Sequence, residues 1–264
     1  MKEISIKGFT FGDGTPRIFV PLMGRSDEEI MSHANLIRKE IDRLDEKYAD
    51  HPELRVAVIE WRADYYDKLA DLDALKEMLS KLRELFSDRL LLFTFRSEEQ
   101  GGELRNDRVG SNLEPIMATA IRSGMIDLVD IEATCGNYKI ARATTGAHMM
   151  DVKVIMSYHD FQKTPHDEEI VNKLRDMDIL GADILKIAVM PRNEFDTRRM
   201  MELNERMVSE SFKPVVLISM GDIGMPSRFK CKETGACLTF GIVGDASAPG
   251  QIEVSDLIAL LKNQ

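Results

Sequence analysis

Residues 152–190 read VKVIMSYHDFQKTPHDEEIVNKLRDMDILGADILKIAVM, and the patterning changes twice along that stretch. VKVIMSY and DILKIAVM are short runs, apolar nearly throughout and rich in β-branched residues. Between them, 166–180 places its apolar residues at helical spacing. A strand apolar on both faces is one buried on both faces, the condition of a parallel strand covered by helices. Two such strands joined by a helix form a right-handed βαβ unit. The unit recurs in both directions. Similar runs stand at 17–23 (RIFVPLM), 55–61 (RVAVIEW), 89–95 (RLLLFTF), 126–132 (IDLVDIE), 214–220 (PVVLISM) and 237–243 (CLTFGIV), which makes eight in all.

Helical spacing also marks 27–46, 71–86, 112–124, 194–210 and 253–262. The first of these sets Ile30, Met31, Ala34, Ile37, Ile41 and Leu44 on one stripe; the second does the same with Leu72, Leu75, Met78, Leu79, Leu82 and Leu85. Asp27, Asp71, Asn112 and Ser255 stand where helix N-caps are expected. Eight strands with a helix after nearly every one, in 264 residues, predict an α/β fold of the (β/α)8 TIM-barrel type. A doubly wound open sheet is the alternative, because sequence does not show closure. The opening residues, ISIKGFTFGDG at 4–14, predict a short β-hairpin closing the bottom of the barrel. With no Pro/Ser-rich linker or break in composition, one domain spanning 1–264 is expected.

Charge and composition exclude several functions. With 35 Lys+Arg against 45 Asp+Glu the net charge is −10, opposite to the basic footprint that nucleic acid requires. No apolar run approaches the ~20 residues of a membrane span, and the N-terminus has no signal-peptide h-region. Cys135, Cys231 and Cys237 form no CxxC pair, which fits reduced thiols in a cytoplasmic protein. There is no HExxH arrangement, so no metal site is expected.

In such a barrel the chemistry gathers at the carboxyl ends of the strands. Those ends carry Glu60 and Arg62, then Arg96, then Asp130 and Glu132, then Ser157 and His159, and later Arg228. Lys186 sits inside DILKIAVM. A lysine is almost never fully buried without a partner, and either snorkelling or a carboxylate would account for one standing alone. Among other strand-end charges it points to chemistry: burial and nearby arginines would depress its pKa, and a neutral amine adds to carbonyls as a Schiff-base former. His159, one strand earlier, is placed to act as general acid/base on the same substrate. His33, His51, His148 and His166 fall on helical or loop segments and read as surface or structural. The arginines suit an anionic, hydroxylated substrate, while each taken singly suits an interstrand salt bridge, as of Glu60 with Arg62 or Arg96.

The segments IEWR (59–62), LLFTFR (91–96), MSYHDF (156–161), GADILKIAVMP (181–191), SMGDIGMPSR (219–228), LTFG (238–241) and SAPGQI (247–252) resemble the type I 3-dehydroquinate dehydratase family. The resemblance runs in order from about residue 4 to 260. It implies a (β/α)8 barrel of the shikimate pathway, a homodimer, that needs no metal or organic cofactor. It implies syn dehydration of 3-dehydroquinate to 3-dehydroshikimate through a lysine Schiff base. On that resemblance Lys186 is the Schiff-base lysine and His159 the general acid/base. Glu60, Arg62 and Arg96 bind ring hydroxyls, while Arg228, Ser247 and Gln251 make the carboxylate and lid contacts. The family usually has Glu where this chain has Gln100, and often Asn where it has Tyr158. Gln100 is then expected to orient the His159 ring through a hydrogen bond, with Glu99 or Glu103 able to swing in. The rival readings are a Schiff-base aldolase on a similar barrel and a catalytically inactive barrel.

Overall fold

Parallel strands β3 (Arg17–Leu22), β4 (Val56–Arg62), β5 (Leu90–Thr94), β6 (Leu128–Glu132), β7 (Lys153–Asp160), β8 (Ile184–Val189), β9 (Val215–Ser219) and β10 (Leu238–Ile242) follow one another around a single sheet in chain order, in a computed structural model describing residues 3–103, 113–244 and 248–263. All of the expected runs are strands, within a residue or two at each end. Nearly every residue in them is buried, as the continuous apolar runs require. The core alternates faces strand by strand: Trp61 of β4 packs edge-on against Phe93 of β5, ring centroids 5.7 Å apart, and Phe19 of β3 meets Phe240 of β10 at 5.2 Å.

Seven of the eight neighbouring pairs are hydrogen-bonded ladders. The eighth, between β9 and β10, is built differently. At its lower end a single backbone bond, Cys237 N–H to Val215 C=O at 3.0 Å, joins the two strands. Higher up, the β9 amides that face the gap donate to side chains: Leu217 to Asn204 Oδ1 at 2.7 Å and Ser219 to Ser227 Oγ at 2.9 Å. The matching edge of β10 pairs instead with the two-residue strand β11 (Ile252–Glu253). The seam is therefore closed by plugs rather than by a ladder, and buried amides stay satisfied throughout.

The first residues form the hairpin expected, β1 (Ile4–Ile6) antiparallel to β2 (Phe9–Phe11). It lies under the barrel. Phe11 is fully buried against Phe19, and Lys7 in the turn pairs with Asp127 at the foot of β6.

Helices α1 (Asp27–Lys47), α2 (Leu72–Leu85), α3 (Leu113–Arg122), α4 (Asn137–Met149), α5 (Asp167–Ile179) and α6 (Glu194–Glu210) cover the outside, and α9 (Val254–Lys262) closes the ring. After β9 there are only two four-residue helices, α7 (Pro226–Phe229) and α8 (Cys231–Thr234). Helix α4 had no clear apolar stripe in sequence; its NYKIARATTGAHM buries just Ile140, Thr144 and Ala147. Caps are less legible than strands. Asp71 does cap α2, accepting from Asp73 and Ala74 N–H, but Ser26, not Asp27, caps α1. Ser255 lies inside α9, which starts at Val254 without a side-chain cap, and Asn112 falls outside the described residues. His33 is structural as expected, reaching from α1 to Val243 C=O at 2.8 Å.

Candidate active site

Alternation along a strand sends residues i and i+2 to one face, and it brings Glu60 with Arg62, Asp130 with Glu132, and Ser157 with His159 into the barrel mouth. Lys186 joins them from β8. A cavity there is lined by Glu60, Arg62, Arg96, His159, Lys186 and Arg228, and Gln251 of the loop before β11 closes one side. Ser247 lies outside the described residues. A roomier and mostly apolar cavity opens between α3 and α4. Its thiol, Cys135, is pushed up to about 11 by burial and then by Glu132, which leaves it a poor nucleophile.

Each strand-end arginine but one is gripped by carboxylates. Arg62 makes a two-point contact with Asp64, Nε to Oδ1 and Nη2 to Oδ2, both 2.8 Å. Asp64 is fully buried and also accepts the Glu103 amide at 3.1 Å. Arg96 donates to Asp130 Oδ2 at 2.8 Å, to Glu132 Oε1 at 3.1 Å and to Ser157 Oγ at 2.8 Å. The interstrand pairing expected holds for Arg96, with Asp130 and Glu132 of β6 as partners, whereas Arg62 pairs locally with Asp64 just past its own strand; Glu60 accepts from Thr94 Oγ1 at 2.9 Å. Arg228 differs. Among the described residues no carboxylate pairs with it; Nη2 donates to Pro249 C=O at 3.0 Å, and its buried Nε has no hydrogen-bond partner. Burial lowers its pKa to about 10, so it remains a cation at neutral pH.

Lys186 is 5% exposed. Its Nζ lies 3.8 Å from Asp130 Oδ2 and 4.7 Å from the centre of the Phe240 ring. Burial lowers its pKa most; Glu60 and Asp130 oppose that, and Arg96 and Arg62 add to it. His159 stands opposite Ala188, two residues beyond the pairing of Ser157 with Lys186. Burial first, then Arg96, Lys186 and Arg62, holds its pKa well below the ordinary 6.5. A neutral imidazole beside a depressed amine is a base beside a nucleophile.

Gln100 is placed otherwise than expected. It is 6% exposed, yet its Oε1 accepts from the backbone N–H of His159 at 2.7 Å, not from the ring. Among the described residues the ring Nδ1 is buried without a partner, and the ring lies nearly parallel to Phe161, centroids 6.3 Å apart. Gln100 thus anchors the strand, and the imidazole is set by packing. Glu99 is exposed, and Glu103 is taken up by Arg25 Nη2 at 2.7 Å; neither stands in for it. The loop can double back this tightly because Gly102 has no side chain: a Cβ there would sit 1.9 Å from the Arg96 carbonyl oxygen.

Sequence reading gave Asp130, Glu132 and Ser157 no role and passed over Asp64, Thr94 and Phe240. A signal did exist for three of them. Asp64 follows Arg62 by two residues, and Asp130 and Glu132 are two charges on one face of an otherwise apolar strand.

The model of the type I 3-dehydroquinase family matches residues 18–264. The 3-dehydroquinate dehydratase of Listeria welshimeri is 38% identical over 258 residues, covering 97% of this chain and 96% of its own. That of Bacillus subtilis is 36% identical over 262 residues, covering 99% and 96%. The crystal structure of the Clostridium difficile type I 3-dehydroquinate dehydratase, with covalently modified comenic acid, superposes with a TM-score of 0.88 at 36% identity, covering 100% and 98%.

Proposed function

We propose that Lys186 and His159 carry the reaction of this chain, which belongs to the type I 3-dehydroquinase family and dehydrates 3-dehydroquinate as a hydro-lyase of the shikimate pathway. The observation that carries the assignment is a buried lysine and a neutral histidine facing one cavity with a buried arginine, Arg228, that no described carboxylate holds.

Lys186 adds through its free amine to the C3 ketone, and loss of water gives an iminium. The iminium draws electrons and acidifies the C2 hydrogen, which the neutral His159 removes. The imidazolium so formed donates to the departing C1 hydroxyl, which leaves as water. A second water hydrolyses the imine and returns the amine. One imidazole serving both proton steps places them on one face, hence syn elimination. Arg228 holds the substrate carboxylate, with Gln251 and Ser247 closing over it, and Glu60, Arg62 and Arg96 meet the ring hydroxyls. The chain works as one domain without metal or organic cofactor, as a cytoplasmic homodimer with no nucleic-acid partner; sedimentation velocity checks the dimer.

Borohydride added during turnover should reduce the imine and fix the substrate or product on Lys186 alone, at its mass minus water plus two hydrogens. Lys186→Met should abolish both the label and nearly all activity. A label on Lys153 or Lys213, or no label with full turnover, rules the assignment out.

A further inference from the structure

We propose that Asp130 is the counter-ion against which Lys186 bears its positive charge, an inference that rests on Lys186 forming the imine. Asp130 is buried in the middle of the site, and its two oxygens are both engaged. Oδ1 accepts from Ser157 Oγ at 2.6 Å. Oδ2 accepts from Arg96 Nη2 at 2.8 Å and lies 3.8 Å from Lys186 Nζ. Arg96 does not depend on Asp130 alone, since Glu132 and Ser157 also hold it. For Lys186, Asp130 is the one carboxylate among the described residues within 4.0 Å of its nitrogen; Glu60 also favours its charge, from farther off. On another side it meets the Phe240 ring, which also favours a cation.

The chemistry says what such a charge accomplishes. The ammonium and the ketone become an iminium and water: the carbonyl C=O bond breaks, C=N forms, and the oxygen leaves with two of the nitrogen's three protons. Both ends carry one positive charge. Between them stand the free amine and the neutral carbinolamine. A fixed carboxylate favours both charged ends over the neutral middle, so Asp130 keeps more of the resting enzyme as ammonium and more of the bound substrate as iminium. The other charged or titratable groups facing Lys186 are Glu60 and Arg62 from β4, Arg96 beyond β5, His159 from β7 and Arg228, with Glu132 two residues past Asp130 reaching the site through Arg96. Of the two other carboxylates, Glu60 is tied to Thr94 and Glu132 to Arg96 and the Ser97 amide.

The test compares Asp130→Asn with Glu132→Gln, each scored for the pH profile of kcat/KM and for the borohydride-trapped fraction at saturating substrate. Asp130→Asn keeps the shape and removes the charge. Its acid limb should move down by about one pH unit or more, the scale of an opposite charge at this range, and its trapped fraction should fall severalfold. Glu132→Gln should raise KM through Arg96 and leave limb and trapped fraction in place. If Asp130→Asn behaves as Glu132→Gln does, Asp130 is only a tether for Arg96 and the inference fails. If the parent itself is never trapped at Lys186, it is the proposed function that fails. Should Asp130→Asn not fold, Asp130→Glu decides. With the charge kept it should hold the parent's limb and trapped fraction; loss of both overturns the inference.

Discussion

Arg228 is the cation of the site whose charge is left for a ligand. Its backbone C=O is already used, accepting from Thr239 Oγ1, so truncating the side chain leaves the local fold tied. A lost charge-assisted contact costs on the order of 1.5–3 kcal/mol. Arg228→Ala should therefore raise KM about tenfold or more, at 1.4 kcal/mol per decade, with the melting temperature little changed. A large fall in melting temperature at unchanged KM would make Arg228 a structural residue. Gln100 sets a second test. Its amide holds the His159 backbone, and Gln100→Glu would place a carboxylate there that raises the pKa of the depressed imidazole. The acid limb of kcat against pH should then lie higher in Gln100→Glu than in the parent, with kcat within about one order of magnitude. A gain of several decades would mean that the parent is an inactivated barrel.

Strands and helices were unequally legible, and the reason is what each buries. Strands covered on both faces appear as unbroken apolar runs, so RVAVIEW and RLLLFTF needed no partner to be read. Helix α4 buries so little that its period does not stand out. Lys186 and His159 could be read because a charge inside an apolar run is conspicuous in one dimension. Their partners could not, because the pairing of Arg96 with Asp130, or of Gln100 with the His159 amide, is set by the register of separate strands. The β9–β10 seam was hidden for the same reason: it depends on Asn204, one residue in the middle of a helix. Asn204 is 1% exposed and bridges Leu217 N–H to Thr234 C=O. Asn204→Ala strands both groups, at a cost of about 1–3 kcal/mol. A chain of this size should lose roughly 2–4 °C per kcal/mol. An unchanged melting curve would show that water or β10 takes up the two groups.

Across the whole molecule, stability should depend on pH through groups the site keeps uncharged. His159 is neutral in the fold with its pKa held down, while the unfolded chain takes up that proton near 6.5. Its contribution is full above the unfolded value and is lost as pH falls from about 6.5 through the lower folded value. The melting temperature should fall over that range, and His159→Asn should flatten part of the slope; an identical slope in the variant would place the proton uptake elsewhere. The seam has a mechanical consequence as well. Seven ladders and one plugged gap make the barrel a split ring rather than a hoop, and a split ring yields at its split. Arg228 and Gln251 sit on the two lips of that split, so, on the assignment proposed above, a widening that lets product out would draw apart the two groups proposed to hold its carboxylate in the same movement.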